Sequence, residues 1–232
     1  MATLGIIPAR GGSKRLPRKN LRLLGGIPLV RHTIEAATRS GCLDRVLVSS
    51  DDPEILAQTS GSTAEPWPRS QELAGDRVTA LDLVLSILEE DGLGPEFDAV
   101  ALMLPTAPLR TARHIREAFS LLEPGVDGVV SLTEYEFPPQ LSVRLEGGSG
   151  RITPVFDPSP LLTGDTRSQD QATIFRPNGA LYLQRMESFL VNRNFWRGNV
   201  VGYAMDRRDS VDIDDSRDLA YAEFVLSRQD LA

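Results

Sequence analysis

The chain has 232 residues, a net charge of −7 and a 41% apolar composition. That length can bury a core without disulfides or structural metals, and a single cysteine, Cys42, rules out a disulfide framework or a cysteine zinc cluster. The acidic balance argues against binding along nucleic acid, and no stretch reaches the ~20 apolar residues of a membrane span.

The chain opens MATLGIIPARGG, too short an apolar run for a secretory leader, so a cytoplasmic protein is expected. TLGIIPA reads as a buried strand ended by Pro8. A cationic loop follows, and then a helix over IPLVRHTIEAATRSG, with Pro28 at its first position, Gly41 past its end, and Leu29, Ile34 and Ala37 on one face. DRVLVSSDD is a second strand backed by a short helix over DPEILAQT. RVTALDLVLSILEEDG is an amphipathic helix with Leu81, Val84, Leu85 and Leu88 at helical spacing. FDAVALMLP, RTARHIREAFSLLEPG and DGVVSLTEY read as strand, helix and strand.

The alternation implies an α/β fold with a Rossmann-like, mostly parallel sheet and helices on both faces. It breaks over about residues 134–176, rich in Pro, Gly and Ser, where QLSVRLEGGSGRITPVF suggests a hairpin around Gly147-Gly148. We read this as an insertion into one domain spanning residues 1–232. GALYLQR and NVVGYAMD resume strand character, and DDSRDLAYAEFVLSRQ closes the chain as a helix.

The loop PARGGSKRLPRKN, Pro8–Asn20, holds both lysines of the chain, Lys14 and Lys19, together with Arg10, Arg15 and Arg18. It does not supply the Walker A spacing. The next helix opens about fifteen residues after Gly12, too far for a dinucleotide fingerprint. What remains is a long loop at the carboxyl end of the first strand, where open α/β sheets bind ligands. Gly11 and Gly12 allow close backbone approach, while Arg10, Lys14 and Lys19 can surround phosphate oxygens. Near the other end, SVDIDDSRD alternates so that in a strand Asp212 and Asp214 share one face and Val211 and Ile213 the other. Two such carboxylates suit Mg²⁺, which combines one or two carboxylates with substrate phosphates and waters. Asp215 or Ser216 would cap the final helix. Loop and carboxylates together point to metal-assisted chemistry on a nucleoside triphosphate.

IIPARGGSKRLPRKNLRLLGGIPLV closely resembles the signature of the acylneuraminate (CMP-sialic acid, nonulosonic acid) cytidylyltransferases, and the similarity continues through VLVSSDDPEI, RSQELAGD, LPTAPLRTARHIREAF, FRPNGALYL and DSVDIDDSRDLAYAE. The resemblance implies CMP transfer from CTP to the anomeric hydroxyl of an acidic acceptor, with release of pyrophosphate. It assigns Arg10, Gly11, Gly12, Lys14, Asn20 and Arg69 to the nucleotide, Asp212 and Asp214 to the metal, and Lys19, Asp214 and Arg167 to catalysis, the last after a one-residue shift. Leu104, Thr106, Arg176, Asn178, Tyr182, Phe195 and Trp196 fall on the acceptor side.

The same resemblance implies a homodimer in which the inserted segment covers the neighbouring acceptor site. His32 and His114 are read as structural. Two departures stand out: Leu104 replaces a glutamine usual in the family, and Leu141 stands near an expected lysine. Lost polar groups on the acceptor side leave N-acetylneuraminic, legionaminic, pseudaminic and Kdo-like acids, or a phosphonate, as acceptors. A sugar-1-phosphate nucleotidyltransferase and a non-catalytic nucleotide-binding module are the competing readings.

Overall fold

The computed structural model describes residues 1–228, so Gln229, the end of the expected closing helix, lies outside the described residues. The chain divides into two compact units: Met1–Leu132 with the chain from Pro177 onward, and Thr133–Arg176.

In the first unit, β1 (Thr3–Pro8) leads through the cationic loop to a small antiparallel pair, β2 (Leu23–Leu24) and β3 (Ile27–Pro28). Then come α1 (Leu29–Ser40), β4 (Arg45–Ser50), a one-turn α2 (Pro53–Leu56) and β5 (Glu65–Pro68). α3 (Ala80–Leu85), β6 (Ala99–Leu102), α4 (Ala112–Ser120) and β7 (Gly128–Glu134) follow. The inserted unit carries β8 (Val143–Leu145), β9 (Ile152–Pro154) and α5 (Pro160–Thr163), after which β10 (Phe175–Arg185), α6 (Met186–Asn192), β11 (Val200–Ala204) and α7 (Ser216–Leu226) complete the first.

Seven strands form one sheet in the order β11-β7-β10-β6-β1-β4-β5. β1 runs parallel to β4 and β6, β4 to β5 and β7 to β11, while β10 is antiparallel to β6. The period of two sorts the strands between two cores. Leu4, Ile6, Leu47, Val100 and Leu102 meet α3, the turn that continues it, and α6 through Val84, Leu88 and Phe189. Ile7, Val46, Val48, Ala99 and Ala101 meet α1 and α4 through Ile34, Ala37, Ile115 and Ala118. Each fully buried Leu or Ile contributes roughly 1.5–3 kcal/mol. The expected α/β sheet with helices on both faces is present.

Several elements differ from expectation. α1 begins at Leu29 with Pro28 as its cap, one residue later than expected, and ends on Gly41 at φ 69. The third helix closes with a π turn over Ser86–Glu90, and its buried face is Leu83, Val84, Ile87 and Leu88, with Leu81 and Leu85 only partly covered. The sequence reading assigned nothing to β5, EPWP; its prolines are tolerated because it lies at the sheet edge. Residues 211–214 form no strand. Their alternation comes instead from Val211 and Ile213 sinking into a third core cluster with Leu16, Leu24 and α7 residues Ala222 and Val225.

The inserted unit, described by itself, contains the expected hairpin. Val143 pairs with Pro154 and Leu145 with Ile152, and the connecting loop turns through Gly148 at φ 86. Ser159 caps α5 by accepting from the Leu161 amide. Among the described residues no helix is long and apolar enough to cross a membrane.

Candidate active site

A cleft of about 480 Å³ opens at the carboxyl end of β1, within the range of small-molecule sites. Its walls come from the cationic loop, the segment before α3, the turn after β6 and the extended segment before α7, through residues including Arg10, Lys14, Lys19, Arg69, Thr79, Thr106 and Asp214. The loop is held from beneath. Leu16 is buried in the third core cluster beside Ile213. Asn20, 7% exposed, donates from Nδ2 to the Arg10 carbonyl at 2.8 Å. The Gly11 amide donates to Asp51 Oδ1 at 3.0 Å, and a Cβ on Gly11 would meet Asp52 Cβ at 2.9 Å, so close approach accounts for this glycine. A Cβ on Gly12 would meet nothing within 4 Å, so no packing contact requires a glycine there.

Four cations of the loop converge on two carboxylates. Arg10 Nη1 and Lys14 Nζ lie 3.0 and 2.6 Å from the two oxygens of Asp76. Lys19 Nζ and Arg15 Nη1 lie 3.0 and 2.9 Å from the two oxygens of Asp214. The Lys14 ammonium holds the Asp76 carboxyl below its ordinary pKa, with Arg10 adding to the effect. These contacts are largely exposed except at Lys19, whose side chain is 14% exposed, so they hold the loop weakly and can be exchanged for stronger anions. Arg18 turns aside in the left-handed region and pairs with Glu54.

Arg69 reaches the cleft with a buried Nε that has no partner among the described residues, and burial lowers its pKa, opposed by Asp51 and reinforced by Arg10. A half-buried guanidinium with an unused donor is suited to a ligand oxygen or base edge. The sequence reading left Arg15 and Asp76 without roles. Arg15 lay inside the cationic stretch, whereas nothing marked Asp76 beyond its place in RSQELAGD.

The two expected metal ligands behave differently. Asp214 lines the cleft, while Asp212 is exposed and raises the Tyr182 hydroxyl pKa together with the larger effect of burial. Among the described residues no group of three or more His, Cys, Asp or Glu converges on a metal position. Asp214, at the cleft, is the one of the pair placed where a cation shared with nucleotide phosphates would need a carboxylate, and no ligand set for a structural metal is gathered among the described residues.

On the acceptor side, Leu104 and Thr106 line the cleft. Tyr182 is tilted against Phe195 at 5.8 Å and edge-on to Trp196 at 6.0 Å. Two of the expected acceptor-side residues are buried behind the cleft surface. Phe195 is 4% exposed and packs on Phe189, so it supports Tyr182 from the core. Asn178 is 1% exposed; its Oδ1 accepts from Ser131 Oγ and the Ala180 amide, and its Nδ2 donates to Ser210 Oγ and Met205 Sδ. That consumes its hydrogen-bonding capacity, leaving it to brace β10. Arg167 is exposed, Arg176 is half-buried as the second residue of β10, and both belong to the inserted unit. His32 bonds the Leu24 carbonyl and His114 caps α4, both structural positions.

The profile of the cytidylyltransferase family matches residues 4–143. The chain is 32% identical over 231 residues, 97% of each protein, to CMP-N,N'-diacetyllegionaminic acid synthase of Legionella pneumophila. It is 31% identical over 229 residues to pseudaminic acid cytidylyltransferase of Campylobacter jejuni, covering 97% of this chain and 96% of that protein. To N-acylneuraminate cytidylyltransferase of Streptococcus agalactiae it is 34% identical over 227 residues, 95% of this chain but 52% of that longer protein. A solved CMP:2-keto-3-deoxy-manno-octonic acid synthetase complexed with CTP shares the fold at a TM-score of 0.69 and 15% identity, covering 99% of this chain and all of that one. The chain belongs to the cytidylyltransferase family and is a CTP-dependent nucleotidyltransferase.

Proposed function

We propose that the protein transfers CMP from CTP to the anomeric hydroxyl of a nonulosonic acid and releases pyrophosphate. The observation that carries this reading is the convergence of four loop cations on Asp76 and Asp214 at one cleft. CTP brings about four negative charges, and phosphoryl-group chemistry depends mostly on positioning and charge stabilisation. Triphosphate oxygens would take Arg10 and Lys14 from Asp76, an exchange favoured because both carboxylate contacts are solvent-exposed. Lys19, held near Asp214, would face the charge that develops at the α-phosphorus. The acceptor oxygen attacks that phosphorus in line; the new P–O bond forms as the bond to the pyrophosphate oxygen breaks, and the hydroxyl proton leaves to a base.

Asp214 can serve as that base only after releasing Arg15 or Lys19, because both its oxygens are engaged. Mg²⁺ held by Asp212 and Asp214 would supply charge neutralisation on the phosphates. The cytoplasmic setting expected from the sequence belongs to this reading, since the reaction draws on CTP. So does a homodimer: Phe137, Leu145, Ile152 and Leu162 of the inserted unit are all strongly exposed, an apolar set that suits a second copy.

For the acceptor, Leu104 favours an acid whose rim is less polar than that of N-acetylneuraminic acid, and the named relatives act on legionaminic and pseudaminic derivatives as well. The test is pyrophosphate release from CTP with a panel of nonulosonic acids. Release should require an acceptor, and kcat/KM for N-acetylneuraminic acid should not be the highest. Leu104→Gln should shift preference toward that acid by roughly tenfold, the scale of one hydrogen bond. No release with any panel member would overturn the activity. A wild type that already prefers N-acetylneuraminic acid would overturn the acceptor assignment.

A further inference from the structure

Arg110 is 2% exposed, yet among the described residues no carboxylate lies within ion-pair distance of it. Its Nη1 donates to the Leu104 carbonyl at 3.3 Å and to the Ala180 carbonyl at 2.9 Å, while Nε and Nη2 have no partner among the described residues. Burial holds its pKa down at about 9, so it remains a cation at neutral pH. A buried, uncompensated charge is costly, and an apolar side chain of similar length would fill the same space more cheaply.

What the charge holds is specific. The Leu104 carbonyl begins the turn through Pro105 and Thr106 that walls the cleft. Ala180 lies on β10, two residues before Tyr182. The same turn accepts, at the Thr106 carbonyl, the Ile213 amide at 2.7 Å, and the next residue is Asp214.

We propose that Arg110 is a positioning residue for cytidylyl transfer: from behind the cleft it fixes the 104–106 turn against β10 and, through Thr106 and Ile213, sets the place of Asp214. A charge-assisted bond to a carbonyl is stronger and more directional than a neutral one, which is what a turn at a strand end requires. Lys19 and Arg15 then meet Asp214 at a fixed point. Arg110 touches no ligand itself. The inference rests on the proposed activity for its kinetic readout, but not for its structural one.

The test compares wild type with Arg110→Met and Arg110→Lys by melting temperature, CTP calorimetry without acceptor, pyrophosphate release and amide hydrogen exchange. Arg110→Met should melt at or above the wild-type temperature, since it removes a buried charge. It should bind CTP within about threefold of wild type while kcat falls roughly tenfold or more, the scale of a hydrogen bond to a charged group. Exchange in peptides covering 104–107 and 211–214 should quicken, with the rest of the sheet unchanged. Arg110→Lys, which keeps a charge but not the fork, should recover part of kcat.

An unchanged kcat in Arg110→Met, or a loss of kcat that tracks a loss of melting temperature without recovery by lysine, overturns the proposal. If the methionine variant does not fold, Arg110→Lys decides: lowered kcat with intact CTP binding supports the role, and wild-type kcat refutes it. If wild type itself releases no pyrophosphate, the activity assignment has failed. The exchange comparison then decides separately, because unaltered exchange at both segments removes the positioning role.

Discussion

Lys19 and Asp214 stand 195 positions apart in sequence and 3.0 Å apart in the fold. Their meeting is built from beneath by Leu16 and Ile213, two apolar residues of one buried cluster that fix the loop and the acidic segment side by side. A lysine with 14% of its side chain exposed has given up much of its hydration, so its charge acts at close range with little screening. Lys19→Ala should therefore lower kcat more than it weakens CTP binding, whereas Lys14→Ala, at an exposed position, should affect binding at least as much as rate. Asp212→Ala and Asp214→Ala should each lower turnover by at least ~10²-fold, the scale of losing a key electrostatic stabiliser, and EDTA should abolish it. Steady-state kinetics beside CTP titrations separates these effects. Full turnover without metal would overturn the metal role of Asp212 and Asp214, and unchanged kinetics in both lysine variants would return the loop to a solvated basic surface.

At the scale of elements, α4 shows how a titratable residue becomes part of a fold. Its capping box uses Thr111 and His114: the Thr111 amide donates to His114 Nδ1 at 3.2 Å, which requires a ring unprotonated at that nitrogen. Burial pushes the His114 pKa below its ordinary 6.5; Arg113 and Arg110 act in the same direction, and Asp209 and Glu117 against it. The unfolded chain therefore takes up this proton before the folded one does. The corresponding stability is complete above about pH 6.5 and is lost as pH falls below it. In His114→Asn, whose Oδ1 can still accept from Thr111, the melting temperature should depend less steeply on pH between about 7 and 5.5. Identical slopes in the two proteins would show that His114 does not carry this dependence. The segment 211–214 makes a complementary point. Its alternation was read correctly as two faces but wrongly as a strand, because packing of Val211 and Ile213, without a sheet partner, produces the same pattern.

For the whole molecule, the inserted unit carries the clearest expectation about assembly. Leu145 and Ile152 face each other across the hairpin and are both strongly exposed. Wild type should sediment at twice the 25.4 kDa chain mass, and Leu145→Lys with Ile152→Lys should sediment as the monomer. A monomeric wild type would refute this. The order of strands and helices, the cationic loop and the acidic alternation could be read from local pattern, because hydrophobic period and charge spacing are properties of neighbouring residues. The sequence also marked 134–176 as different, through composition alone. The partners across the fold could not be read this way. Asp76 between Arg10 and Lys14, the consumed amide of Asn178, the burial of Phe195 and the unpaired charge of Arg110 depend on which distant backbone and side chains converge. A one-dimensional pattern assigns a residue to a face. Only the packed sheet, with its strand order and crossovers, decides what that face meets, and so which polar groups remain available to a ligand.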